Sequence, residues 1–441
     1  MEMQMKRRTG YRWFVFAVFF VFMLLHQSDR LLIGPLTTPI METFGIDEVQ
    51  MGAIFTGALL VSAILFPLWG YLFDRYSRAR LLALASAIWG STTWLSAIAP
   101  TYPTFLVTRA STGVDDSSYP GLFSLISDYF GPKMRGKIYG LLQLTQPLGY
   151  MIGLLVATLL GGLLGWRSIF YITGSLGLVL ALVILLGVRE PPRGQSEPEM
   201  EDLDKIGVHR FDIKIAAGLF KKRSLLLLFA QGFVGVFPWN VITYWIFRYL
   251  ETERGYDANT ILVTMAPAIL VLAGGYFVGG AVGDFFFQRT PRGRMLTAMG
   301  GVLTGAILLY YTFNIPVEDA GMFSIMLIVT ALFIPFASPN VIATVYDITL
   351  PEVRSTALSI QYFIEDGGAA IAPLLAGIIA RSYSLETAIL FICVTAWIFG
   401  AFFLAFTAYL VPRDIQTLRA QMRERAESEN INPPVKPSVP Q

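Results

Sequence analysis

The chain has 441 residues, of which 54% are hydrophobic and 15% charged, with a net charge of +2 and a mean hydropathy of +0.58. Soluble chains carry roughly a quarter charged residues, so this one lacks the polar surface to cover itself in water. The near-neutral balance implies no nucleic-acid partner, and the one cysteine, Cys393, can neither form an internal disulfide nor supply metal-ligand spacing.

Apolar stretches long enough to cross a bilayer, ~20 residues each, recur along the sequence. Twelve spans are predicted, beginning near Trp13, Gln50, Leu81, Tyr102, Arg135, Trp166, Ser224, Ala258, Met295, Ala320, Arg354 and Glu386. The first could pass for a signal peptide, because Lys6, Arg7 and Arg8 precede it. It is followed by His26, Gln27, Ser28, Asp29 and Arg30 rather than by a small-residue cleavage site, and the run continues to Gly34. It therefore reads as an uncleaved spanning helix. Between the sixth and seventh spans, residues 189–223 are polar, with Pro191, Pro192 and an acidic patch (Glu197, Glu199, Glu201, Asp202, Asp204). Residues 211–220 space their apolar side chains as an interfacial helix would. The expected organisation is a first bundle over 1–190, a linker over 191–222, a second bundle over 223–412 and a tail over 413–441 that begins as a charged helix-like stretch and frays into Pro-rich sequence.

Orientation follows from lysine and arginine. With the N-terminus inside, the inner segments hold Lys6, Arg7, Arg8, Arg12, Arg75, Arg78, Arg80, Lys133, Arg135, Lys137, Arg289, Arg292, Arg294 and Arg354. The outer segments keep Arg167, Arg248, Arg254 and Arg381. Positive charge favours the cytoplasmic side, so both termini are expected in the cytoplasm, with the chain in the inner membrane.

The halves repeat. Gly70 and Asp74 end the second span and are followed by Arg75, Arg78 and Arg80; Gly280 and Asp284 end the eighth and are followed by Arg289, Arg292 and Arg294. Asp128, Pro132 and Arg135 lie between spans four and five, and Asp347, Pro351 and Arg354 recur at identical spacing between ten and eleven. Duplicated six-helix units with a site at the midplane between them are a transporter architecture. The fold expected is an all-α membrane protein of twelve transmembrane helices in two pseudo-symmetric bundles.

At these residues the chain resembles the major facilitator superfamily over essentially its whole length. The stretch Gly70, Asp74, Arg75, Ser77, Arg78 is similar to that family's loop motif, with Ser77 where a glycine is usual. The resemblance implies a latch on the cytoplasmic side, carried over to Gly70, Asp74 and Arg78 and, through the repeat, to Gly280, Asp284, Asp128, Arg135, Asp347 and Arg354. The plainer reading is that these charges only set topology. A narrower resemblance is to the Spinster branch, whose members move lysophospholipids and related lipids. Asp29-Arg30 late in the first span fits it, as does the spacing of Arg109, Gly113, Asp116 and Tyr119, with Asp116 where that branch has glutamate. The run Pro351, Arg354, Ala357 also fits, whereas Glu365 and Ala369 stand where that branch has a histidine and a later aspartate.

Charges inside a spanning helix are costly and usually face a cavity or pathway. At 1.5 Å per residue, Asp29 falls ~8 Å and Arg109 ~10 Å below the outer end, so a carboxylate–guanidinium pair is predicted, with Arg30 free to reach the interface. Arg109 and Asp116 are seven apart and share a helical face, whereas Asp115 points away. Asp116 is thus the foremost candidate for ion coupling, with Asp29 and Glu365 as further candidates; the plain alternative for Asp116 is packing near a break at Pro120. Burial favours the protonated carboxyl and a nearby arginine favours the carboxylate, so alternating environments would load and release a proton. His26 reads as a hydrogen-bond partner, and Arg109, Gln143, Tyr150 and Asn240 as possible substrate contacts; Gln146, Trp239, Tyr244 and Asn340 carry less weight.

No G-x-x-x-x-G-K-S/T, G-x-S-x-G or H-E-x-x-H pattern occurs, which argues against ATP-driven pumping and hydrolysis; no cofactor or metal is expected. Three readings stay open. One is a monomeric, proton-coupled secondary transporter of an amphipathic organic molecule such as a lysophospholipid, in contact with membrane lipids. Another is an uptake symporter for a small organic anion such as a sugar acid. The third is a membrane-embedded lipid-modifying enzyme using Asp115, Asp116 and Asp128, although twelve residues of helix separate the last two by ~18 Å.

Overall fold

The computed structural model describes residues 2–33, 36–200 and 211–431, and every regular element among them is helical. Among the described residues, eleven helices are long and apolar enough to cross a membrane. The missing crossing is the fourth, which is broken into Tyr102–Ala110, Gly113–Asp116 and Tyr119–Ser127. At the first break Ser111 donates to the Val107 carbonyl at 2.8 Å and Thr112 to that of Arg109 at 2.7 Å, sharing acceptors with the helix ladder. Ser117 does the same at the Val114 carbonyl at 2.9 Å, and Pro120 has no N–H to continue the ladder. The twelve crossings form two six-helix bundles.

The two ends of the molecule start their helices differently. At the end away from the linker, the far face, caps come from within the same bundle: Glu253 accepts the N–H groups of Leu385 and Glu386 at 2.6 and 3.0 Å, and others are local. Asp47 accepts the Gln50 N–H at 2.7 Å, Asp257 that of Thr260 at 2.9 Å and Asp319 that of Met322 at 3.0 Å. At the end carrying the linker, the linker face, the helices starting at Arg135 and Arg354 are capped by carboxylates of the opposite bundle, as described below.

The linker packs into this face. Its acidic residues Glu201, Asp202 and Asp204 lie outside the described residues. The expected interfacial helix is a short one, Ile213–Gly218, followed by a turn at Leu219–Lys221, with Ala216 and Leu219 buried and Ile213 and Phe220 exposed. The last helix, Leu385–Ile431, runs on through Pro412, so the charged start of the tail is helical and not frayed, and its Pro-rich end lies outside the described residues. Tertiary packing sustains it: Leu418 and Met422 are buried against Met200, and Arg425 binds Glu352 at 2.7 and 3.1 Å.

Candidate functional site

A cavity of about 320 Å³ lies between the bundles. Gln27, Arg30, Asp116 and Gln143 line it from the first bundle, and Trp239, Gln361, Tyr362, Glu365, Asp366 and Trp397 from the second. Glu365 packs over Gly232 and accepts from Gln361 Nε2 at 2.8 Å.

Asp29 and Arg109 meet. The Arg109 guanidinium donates to Asp29 Oδ2 at 3.3 Å and lies over the Phe170 ring, 5.0 Å from its centroid. Asp29 also accepts from Trp89 Nε1 at 3.2 Å, Thr93 Oγ1 at 3.3 Å and Thr173 Oγ1 at 2.8 Å. Both charges are buried away from the cavity walls.

The break in the fourth crossing corrects two expectations. Arg109 and Asp116 do not share a continuous helical face, because the helix stops at Ala110 and resumes at Gly113. Asp115 does not point idly away: it is fully buried against His26 Nε2. His26 Nδ1 lies 2.5 Å from the Tyr119 hydroxyl, which Gln27 also reaches at 2.8 Å. Asp116 instead faces the cavity, 3.7 Å from Arg30 Nη1 and 3.6 Å from His26 Nε2. Arg30 therefore turns into the cavity rather than out to the interface, because Asp116 is there to receive it.

The remaining candidates divide. Gln143 and Gln146 line the cavity. Asn240 does not; it donates to the Val236 carbonyl of its own helix at 3.0 Å. Asn340 is buried and spends its amide on the Gly279 and Phe336 carbonyls. Tyr150 is half-buried and Tyr244 exposed, and neither lines this cavity. Asp366 was not singled out from sequence, although a second carboxylate next to Glu365 in a spanning helix is itself a signal.

The linker face is closed by a pseudo-symmetric network. Asp74 accepts the N–H groups of Ser355 at 3.1 Å and Thr356 at 2.7 Å; Asp284 accepts those of Gly136 at 3.0 Å and Lys137 at 2.8 Å. Each carboxylate thus sits at the positive end of a helix in the other bundle. A β-carbon on Gly70 would collide with Ser359 and one on Gly280 with the Gly136 carbonyl, so both glycines are needed for the approach. Arg78 binds Asp128 at 2.6 Å as Arg294 binds Asp347. Arg135 crosses to Asp347 at 2.9 Å, and Arg354 faces Asp128 at 3.7 Å.

Two glutamates, Glu190 at the end of the first bundle and Glu197 in the linker, complete the network, and neither was given a role from sequence. Glu197 Oε1 accepts from Arg135 and from Arg354, each at 2.5 Å, so it lies between pseudo-equivalent arginines of the two bundles. Its other oxygen binds Arg419 at 2.9 Å. Burial alone would push this carboxyl up, but Arg135, Arg354 and Arg419 hold it well below the usual carboxylate range. Glu190 is likewise lowered: Arg78 at 2.8 Å and the Ala79 N–H at 2.9 Å outweigh its burial.

Comparison with known proteins agrees with this architecture. Protein spinster of Drosophila melanogaster is 28% identical over 393 residues, or 84% of this chain, which spans 62% of that relative's length. The probable sulfoacetate transporter SauU of Cupriavidus necator is 25% identical over 307 residues, covering 68% of this chain and 70% of its own. The solved structure of the Escherichia coli fucose:proton symporter FucP superposes with a TM-score of 0.69 at 15% identity, covering 89% of this chain and 98% of that one, a likeness of fold. The model described as Major Facilitator Superfamily matches residues 16–330. The match begins in the first crossing and runs well into the second bundle, so the chain is a multi-pass membrane transporter and belongs to the Major Facilitator Superfamily.

Proposed function

We propose that this transporter is proton-coupled and carries an amphipathic organic molecule, with a lysophospholipid as the leading candidate, through the interbundle cavity by alternating access. In this reading it is a monomer of the inner membrane, and the linker face, with both termini, is cytoplasmic. The closed latch then corresponds to a state closed to the cytoplasm.

The observation that carries the reading is the make-up of the cavity wall. Arg30 and Asp116 stand on one side, and Trp239, Tyr362 and Trp397 supply broad aromatic surface on the other. A molecule with a charged head and an apolar body matches both. At about 320 Å³, the space is at the lower end of the ~300–1,000 Å³ typical of ligand pockets, so it suits a headgroup with the acyl chain extending outside. Asp116 supports proton coupling because it faces the cavity with Arg30 Nη1 at 3.7 Å and the titratable imidazole of His26 at 3.6 Å. Movement of the first crossing relative to the fourth would separate it from one or both.

The same volume also suits a small organic anion paired with Arg30, and the name of the sulfoacetate relative points the same way. Purified protein in liposomes separates the two readings. Labelled lysophosphatidylethanolamine and labelled galactonate are followed with and without an imposed pH gradient. Gradient-accelerated movement of the lysolipid is expected. Gradient-driven galactonate alone would favour the anion symporter, and indifference of both to the gradient would remove proton coupling.

A further inference from the structure

Two titratable groups stand behind Asp116. Asp115 and His26 are 0% and 3% exposed, and neither lines the cavity, whereas Asp116 does. The His26 ring is stacked on Phe22, with 6.0 Å between centroids, and meets Trp89 of the third crossing edge-on at 5.3 Å. Both of these aromatics are fully buried. The imidazole Nδ1 is taken by the Tyr119 hydroxyl at 2.5 Å. That leaves Nε2 to face the carboxylates: it touches Asp115 Oδ2 and lies 3.6 Å from Asp116 Oδ1. The other charges near the ring are Asp29 on the same helix, bound by Arg109 of the fourth crossing, and Arg30, 3.7 Å from Asp116. Arg30 is itself faced by Tyr150 and by Asp366 of the second bundle.

This cluster is rich in acceptors. Both oxygens of Asp115, Asp116 Oδ1 and Gln27 Oε1 are buried and receive no well-formed hydrogen bond. Buried polar atoms left unpaired are costly and call for a partner. Protonation turns a carboxylate oxygen into a donor, so one added proton supplies a hydrogen bond that the cluster lacks. Contact between Nε2 and Asp115 Oδ2 leaves no room between them for a larger cation. Of the three groups Asp116 alone lines the cavity, so a proton reaches the other two through it.

We infer that His26 and Asp115 hold an exchangeable proton behind Asp116, and that Nε2 hands this proton to Asp116 and takes it back. The inference rests on the proposed proton-coupled reading and deepens it: Asp116 is the door, and the His26–Asp115 pair is the store. In the outward step the Nε2–H bond breaks with its electron pair left on nitrogen, and an O–H bond forms at Asp116 Oδ1. Asp116 then releases the proton to the cavity. Closing 3.6 Å to the ~2.7–2.9 Å of a charge-assisted hydrogen bond takes less than ~1 Å, smaller than the ~1–2 Å helix shifts of switching proteins. Relative movement of the first and fourth crossings therefore makes or breaks the hand-over.

The chain has two histidines, His26 and His209, so a His209→Gln background leaves one imidazole to observe. The test is nitrogen NMR of that ring, with labelled histidine, on the full chain in nanodiscs between about pH 4 and pH 9. The ring signals are expected to titrate, and Asp116→Asn to displace the midpoint by at least about one pH unit, a tenfold change in proton affinity. Signals that do not change over the range, or a midpoint that Asp116→Asn leaves in place, would overturn the inference. His26→Gln, which keeps a hydrogen-bonding side chain but carries no exchangeable proton, is then assayed in liposomes with labelled lysophosphatidylethanolamine and galactonate. Its ratio of gradient-driven accumulation to gradient-free exchange should fall about tenfold or more. A parent-like ratio would remove the hand-over and leave proton coupling standing. A ring that titrates with Asp116 in a parent indifferent to the gradient would sink proton coupling and spare the store. The titration needs neither a substrate nor a folded His26→Gln variant, so it decides in either case.

Discussion

The carboxylate of Asp284 accepts the backbone N–H of Gly136 at 3.0 Å, so a residue of the second bundle caps a helix of the first. Asp74 returns the contact at Ser355 and Thr356. Far-face caps such as Asp47, Asp257 and Asp319 bind amides of their own helix and do not depend on the other bundle. The linker-face caps exist only while the bundles touch. When they part, the freed amides are first-turn N–H groups that water can satisfy, which makes the contact reversible.

Bulk at Gly280 should therefore hold this face open. A β-carbon there meets the Gly136 carbonyl, and Gly280→Leu adds a branched chain with no space to relax into. A cysteine placed at Ser127, buried beneath the network, is expected to react with an impermeant maleimide from the linker side several-fold faster in Gly280→Leu than in the parent. Equal labelling would show that the glycine is not needed for closure.

Asp29 and Arg109 should behave as a structural pair. Both are nearly fully buried, and removing one partner from such a pair typically costs ~3–5 kcal/mol. Asp29→Asn and Arg109→Gln are each expected to lower thermal stability, with the double variant less destabilised than the sum. The exchange Asp29→Arg/Arg109→Asp should not rescue, because Trp89, Thr93 and Thr173 would then aim their donors at a cation. Additive single effects in a thermal-unfolding cycle would show that the two charges are uncoupled.

The bundle architecture was legible because hydropathy, charge bias and duplicated loop motifs are local properties of the chain. Depth arithmetic likewise brought Asp29 level with Arg109. The helical-face argument failed at Asp115 and Asp116, where an unbroken helix was assumed. The serines and threonines around Gly113, which share acceptors with the helix ladder, were the available warning. Glu197 was legible only as part of an acidic linker, since nothing in its neighbours reveals that three arginines from distant sequence converge on it. Asp366 could have been found by extending to it the argument already made for Glu365.

Glu197 should give the latch a characteristic acid limb. Its folded-state pKa is depressed below that of an ordinary glutamate, ~4.3, by Arg135, Arg354 and Arg419 acting against burial. The stabilisation is therefore complete above the unfolded-state value and is lost as pH falls from there through the depressed folded-state value. Between pH 8 and 6 Glu197 contributes no slope. Glu197→Gln should lower stability at neutral pH by ~3–5 kcal/mol, because buried arginines lose a charged partner, and should flatten the decline below pH ~4. Thermal unfolding of both proteins across that range checks this; an unchanged acid limb would show that Glu197 does not carry the linkage.

Asp116 and Asp115 are adjacent, yet their replacement should have different consequences. Asp115 is fully buried against His26, which also contacts Tyr119, so it ties the first crossing to the broken fourth. Asp115→Asn retains a hydrogen-bonding side chain but removes the charge facing the imidazole, and is expected to reduce stability and with it all transport. Asp116 lines the cavity and touches Arg30 and His26 only at 3.7 and 3.6 Å, so its replacement by asparagine leaves the packing intact. If Asp116 is the residue that takes up and releases the coupled proton, Asp116→Asn fixes it in a neutral form. Substrate exchange down its own gradient should then persist while accumulation driven by a pH gradient disappears. Arg30→Gln should instead impair both, because it removes a cation that can hold the substrate as well as the carboxylate's partner. The decisive measurement is the ratio of gradient-driven accumulation to exchange in liposomes, with thermal stability recorded for each variant. A parent-like ratio in Asp116→Asn would move the coupling site to the second bundle, where Glu365 is the next carboxylate to neutralise.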